Sequence, residues 1–142
     1  MRKSIVYVVL QFTATVFLML TGSIIPANIY FLIAEIIFVC AMILSMKYHG
    51  FRINVFPDPG KNQVLITSGP YRYVRHPMYT SVIFITLIWI LNEFSVIRLI
   101  VWIILVAVLH FKSEYEEKLL CEHFDEYRNY KLQTYKLIPY VF

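Results

Sequence analysis

Two short stretches of this chain concentrate the side chains able to do chemistry. The first is Tyr71-Arg72-Tyr73-Val74-Arg75-His76-Pro77-Met78-Tyr79. Pro77 suits the first position of a helix, where its missing N–H removes no hydrogen bond, and the residue before a proline is driven towards an extended backbone. His76 is therefore predicted at the cap of a helix, with free backbone N–H groups behind it and Arg72 and Arg75 close by, a setting for a carboxylate or phosphate. The second stretch is Lys112-Ser113-Glu114-Tyr115-Glu116-Glu117-Lys118. Lys112 and Glu116 are four apart and share a helix face. Glu117 is turned about 100° from Glu116, so the two carboxylates address different atoms. Acceptors of this kind suit a ligand carrying hydroxyls, an amino group and a cationic centre. Each stretch also has a plainer reading. Arg72, Arg75 and the tyrosines fit interfacial anchors beside lipid head groups, and the acidic run fits a solvated helix face.

The elements that must position these residues are apolar. The chain has 142 residues, enough for one domain, and is 59% hydrophobic, against about 45–50% in soluble domains. Its mean hydropathy is +0.64. The excess falls in four runs: Ile5–Ile25, Ile29–Met46 (interrupted by Glu35), about Pro77–Leu91, and about Val96–Phe111. The first is long enough as a helix to cross about 30 Å of hydrocarbon. It is too long for a signal-peptide core and lacks an A-x-A-like site, so it is expected to be a retained span. The last two runs, joined across Asn92-Glu93, read as a helical hairpin. Ser113–Tyr130 is expected to form an amphipathic helix leaving the membrane. Gln63–Thr67 is a short β-prone run before a Ser68-Gly69-Pro70 turn.

The predicted fold is thus an all-α integral membrane protein with four transmembrane helices. It forms a single domain, with two N-terminal spans over residues 1–46 and the chemistry over residues 63–139. In a four-span arrangement every lysine and arginine except Arg98 falls on one side. The basic-residue asymmetry predicts that both termini and the 47–75 loop are cytoplasmic, which places any polar site on the cytosolic side.

The net charge of +4 is accounted for by this topology, and no nucleic-acid partner is expected. Cys40 and Cys121 are isolated, so neither a disulfide nor a metal is expected, and Cys40 reads as a small packing residue. His49, His110 and His123 show no metal-ligand spacing. The four glycines form no GxG cluster, which argues against a Rossmann-type site. Glu35, an ionisable residue within a span, is a functional candidate by default, with a hydrogen bond to a neighbouring helix the simpler expectation.

Taken in order, the motifs resemble the isoprenylcysteine carboxyl methyltransferase family and the related phospholipid N-methyltransferases. The residues that carry the resemblance are Gly69-Pro70-Tyr71, Arg75-His76-Pro77-Met78-Tyr79, then Glu116-Glu117, Leu120, Phe124, Tyr127, Tyr130 and Pro139. The resemblance implies S-adenosylmethionine as cofactor, methyl transfer to a lipid-like or prenylated acceptor arriving from the bilayer, and a cytosolic pocket closed by the C-terminal segment. By position it implies cofactor contacts from Gln63, Val64, Leu65, Ile66, Tyr71, His76, Pro77, Met78, Tyr79 and Glu116. It also implies an acceptor-facing, catalytic pair in Lys112 and Glu117. This sequence departs from the family pattern at Lys112, where arginine is usual. It departs again at Phe124-Asp125-Glu126-Tyr127, which lacks a glycine and is one residue shorter, and at Thr80-Ser81, where Leu-Gly is common. Two alternatives stand beside this reading: a membrane sterol- or steroid-type reductase using NADPH, whose phosphates Arg72 and Arg75 would hold, and a non-catalytic membrane scaffold of the same fold.

Overall fold

A computed structural model describes residues 2–50 and 64–138. Among them the chain is helical: α1 (Arg2–Leu20), α2 (Ile29–Tyr48), a 3-10 turn (Gly69–Arg72), α3 (Pro77–Asn92), α4 (Val96–His123) and α5 (Tyr127–Gln133). The only β pairing among the described residues is an isolated parallel bridge between Val74 and Tyr135. Val64, Leu65, Ile66 and Thr67, the described part of the β-prone run, form no strand.

The helix boundaries follow from local chemistry. Asn28 caps α2 by accepting from the Tyr30 N–H at 2.9 Å, and Pro77 opens α3. α1 ends at Leu20, before the expected Ile25. A Cβ on Gly22 would collide with the Arg98 guanidinium, so the chain bends there and admits that side chain. Arg98 is 4% exposed. It donates to the Glu93 carbonyl at 2.6 Å and to the Leu18 carbonyl at 3.5 Å, tying α1 to the α3–α4 turn.

α4 differs most from expectation. Instead of stopping near Phe111 and restarting at Ser113, it runs unbroken to His123. No glycine or proline interrupts that stretch, so helical hydrogen bonding continues from the apolar half into the charged half. The amphipathic segment is split at Phe124, whose backbone is extended, and resumes as the short α5.

α3 is central, packing on α2, α4 and α1, while α1 also packs along α4. The core joins Leu18, Ile83, Ile85, Trp89, Ile90, Leu105 and Leu109. Glu35 meets α3 as expected: Trp89 Nε1 donates to Glu35 Oε1 at 2.8 Å inside the helix packing. The outer faces are apolar. Ile33, Ile36, Ile37, Ile43 and Leu44 of α2, and Ile97, Ile100, Ile103 and Ile104 of α4, are all exposed. Contiguous exposure on this scale is foreign to soluble monomers and natural in lipid. Cys40, expected as a packing residue, lies on the exposed face of α2. α2 and α4 are each long and apolar enough to cross a membrane, and α1 and α3 are shorter apolar helices.

Candidate active site

The two chemically loaded stretches meet. α3 begins where the charged half of α4 passes, so side chains about forty positions apart in sequence come into contact. Tyr79 Oη donates to Glu116 Oε2 at 2.9 Å. His76 lies between both acids, with Nδ1 3.6 Å from Glu116 Oε2 and Nε2 3.2 Å from Glu117 Oε1. The rotation between adjacent helical residues thus lets two carboxylates serve opposite nitrogens of one imidazole. An ionised carboxylate only accepts, so the proton on the Glu117 side belongs to Nε2. The His76 and Tyr79 rings are parallel, with centroids 5.3 Å apart.

Glu117 is the anchor of this cluster. It is 3% exposed and takes Arg75 Nε at 2.8 Å on Oε1 and Lys131 Nζ at 2.8 Å on Oε2. Burial alone would raise its pKa. The hydrogen bonds from His76, Lys131 and Arg75 outweigh that and hold it well below the usual carboxylate range. The Arg75 guanidinium goes on to donate to the backbone carbonyls of Lys131, at 3.0 Å, and of Thr134. One arginine therefore links α4, α5 and the segment after α5.

That segment is laced onto the α3 entrance. Arg75 N donates to Tyr135 O at 2.9 Å, His76 N to Lys136 O at 3.2 Å, and Tyr135 N to Tyr73 O at 3.0 Å. Thr80 Oγ1 donates to Leu137 O at 2.6 Å. The His76 N–H is thereby satisfied within the protein, leaving the first turn of α3 as the free end of the helix. Pro77 is buried there and Met78 is half-buried.

Tyr71 sits on the 3-10 turn. Gly69 starts that turn at φ +62°, a conformation that costs glycine little, and its bare Cα lies against the Tyr48 ring. Tyr71 is 6% exposed, its carbonyl accepts from Tyr130 Oη at 2.5 Å, and its ring meets the His49 ring edge-on at 5.3 Å. Burial, reinforced by the nearby Glu116 charge, pushes the Tyr71 hydroxyl pKa up. Burial pushes the Tyr130 hydroxyl up to about 12, with Arg75 opposing and Glu117 adding. Burial lowers the His49 pKa, with Glu116 opposing. Both phenols are neutral at physiological pH, and that of Tyr130 is a donor.

Lys112 lies where the cluster meets the apolar half of α4 and is 2% exposed. Its Nζ donates to Gln11 Oε1 of α1 at 2.8 Å and lies 5.2 Å from the centroid of the Tyr79 ring, within cation–π range. Lys112, Tyr79, Glu116, His76 and Glu117 thus form one connected array. Val64 is 77% exposed, with Leu65 and Ile66 half-buried. Gln63 and the late Pro139 lie outside the described residues.

Gln11, His49 and Lys131 belong to this neighbourhood without having been singled out in the sequence. His49 gave no signal, because nothing in its surroundings marks a partner more than twenty residues away. Gln11 was visible as an uncharged polar residue in an apolar run, a pattern that deserves weight in membrane helices.

The model of the phospholipid methyltransferase family matches residues 11–127. The chain belongs to that family. The matched region runs from the middle of α1 through α4 and reaches Tyr127, so it includes every site residue from Gln11 through Glu117. Family membership makes this a membrane methyltransferase and lends no support to a reductase or a scaffold. No curated protein matches the chain, and no solved structure does.

Proposed function

We propose that this protein uses S-adenosylmethionine to methylate a lipid-like or prenylated acceptor at the cytosolic face of a membrane. The observation that carries the reading is the junction of α3 and α4, where Tyr79 donates to Glu116 and His76 bridges Glu116 and Glu117. The donor set fits the cofactor's chemistry. Glu116 Oε2 is engaged by Tyr79, whereas Oε1 has no partner among the described residues and the carboxylate is 26% exposed. That oxygen is available to an amino or hydroxyl group. Tyr71 offers aromatic surface to a nucleoside, and the Tyr79 hydroxyl holds Glu116 in place. The first turn of α3 offers N–H groups to a carboxylate.

When bound, S-adenosylmethionine supplies a methyl group already activated by its sulfonium, so the protein's task is mainly proximity and orientation. Glu116 positions the amino or hydroxyl side, and the α3 terminus with Val64, Leu65, Ile66, Pro77 and Met78 frames the remainder. Lys112 faces the acceptor. Glu117 acts through His76 and Arg75, which it fixes and which hold the C-terminal segment over the site and keep water out. In this reading all four apolar helices span the bilayer, and both termini and the pocket are cytoplasmic. The acceptor enters sideways between helices, because its lipid anchor already lies in the hydrocarbon.

Thermal unfolding of the purified protein in detergent tests this reading. Only a ligand of the native state raises the melting temperature, so S-adenosylmethionine should raise it and NADPH should leave it unchanged. A shift with NADPH alone would overturn the proposal.

A further inference from the structure

The Lys112 ammonium is buried yet enters no salt bridge among the described residues. Its partners there are the Gln11 side-chain amide oxygen and the Tyr79 ring face. A lysine has three N–H donors, and a buried cation normally finds a carboxylate or several acceptors. Here one donor is fixed by a neutral amide, one side of the ammonium is covered by an aromatic face, and among the described residues the remaining donor capacity is unspent. The amide comes from α1, a helix whose other neighbouring side chains, Val9, Leu10 and Phe12, are exposed and apolar. The same seam carries the Tyr7–Tyr115 ring contact, with centroids 6.4 Å apart. A neutral partner matters. A glutamate at this position would quench the charge, and an alkyl side chain would leave a flexible four-carbon stem free to swing towards Glu116, its i+4 neighbour. An amide fixes the ammonium and leaves its charge intact.

We infer that Gln11 is a positioning residue for methyl transfer, holding the Lys112 ammonium over the Tyr79 ring. This rests on the methyltransferase reading above. A purely structural Gln11, gluing α1 to α4 by a hydrogen bond in lipid, would affect stability without coupling to the reaction.

The experiment uses the full chain in lipid nanodiscs of phosphatidylethanolamine and phosphatidylglycerol, with a prenylated cysteine added as a second acceptor. Labelled S-adenosylmethionine provides both a binding and a transfer readout. Gln11→Leu should leave cofactor affinity within twofold of wild type and lower kcat/KM for the acceptor by about tenfold or more, the usual scale for losing a hydrogen bond to a charged group. Lys112→Met should lower it further, and the double variant should be no worse than Lys112→Met alone. In parallel, acylation of Lys112 by a membrane-permeant amine reagent, followed by mass spectrometry, should proceed several-fold faster in Gln11→Leu. Additive losses in the double variant, or an unchanged acylation rate, would overturn the inference. If wild type binds no S-adenosylmethionine, the methyltransferase reading itself fails, whereas the acylation comparison still reports whether Gln11 governs Lys112.

Discussion

Replacing Glu117 by glutamine probes the junction with almost no change of shape. The carboxylate accepts from Arg75 Nε at 2.8 Å, Lys131 Nζ at 2.8 Å and His76 Nε2 at 3.2 Å. The amide keeps one acceptor and brings two N–H donors into a site whose three partners are all donors. The largest loss is at Arg75, whose side chain is 8% exposed and becomes a buried cation without a counter-charge. Removing one member of a buried pair costs about 3–5 kcal/mol. Because Arg75 keeps the carbonyls of Lys131 and Thr134, the lower end, about 3 kcal/mol, is expected. Lys131 adds little, since its side chain is 48% exposed and such pairs contribute less than about 1 kcal/mol. With a shift of about 2–4 °C per kcal/mol for a chain of this size, Glu117→Gln should melt about 6–12 °C below wild type in a detergent thermal scan. Lys131→Met should fall within about 3 °C. A Glu117→Gln protein melting within about 2 °C of wild type would show that the carboxylate does not anchor the junction.

Three further outcomes follow from the same geometry. Because the Glu117 pKa is depressed on folding, its contribution is complete above the unfolded carboxylate value, about 4.3, and is lost as pH falls towards the folded value; melting of wild type should therefore decline below about pH 4 more steeply than that of Glu117→Gln, and parallel curves would contradict the assignment. Gly69→Ala forces a side chain into a left-handed φ of +62° and against the Tyr48 ring; it should cost about 1–3 kcal/mol in denaturant or thermal unfolding, and an unchanged midpoint would refute the strain. Glu35→Leu removes the acceptor of the Trp89 indole N–H and should shift tryptophan emission to shorter wavelength, while Glu35→Gln, which keeps an acceptor oxygen, should leave it in place.

Much of the architecture was legible because it depends on local rules. Pro77 marked the start of α3 and the four apolar runs marked α1 to α4. The extent of α4 was misread because the change from apolar to charged residues at Lys112 looks like a boundary. Composition changed there, but backbone hydrogen bonding did not, and without glycine or proline the helix continued. α1 was read too long because the cause of its end, the Arg98 side chain packed against Gly22, comes from the far half of the sequence.

The site divides in the same way. His76 at a helix cap and the Lys112–Glu116 shared face follow from spacing. That these two stretches meet does not; it came from the family resemblance. The triple engagement of Glu117 by Arg75, His76 and Lys131 was invisible, since each partner is remote in sequence and a glutamate in a charged run carries no mark of burial. Nor did Gln11 announce its partner, which lies in another helix.

The central claim is that the α3 entrance and the acidic turn of α4 together hold S-adenosylmethionine. Equilibrium binding of labelled S-adenosylmethionine to purified wild type, Glu116→Gln and His76→Ala tests it most directly. The account predicts saturable binding to wild type, an affinity at least about tenfold weaker in Glu116→Gln through loss of a charge-assisted hydrogen bond to the cofactor, and a weaker affinity in His76→Ala, which removes the ring that bridges Glu116 and Glu117. Wild-type affinity in both variants, with each still folded, would contradict it.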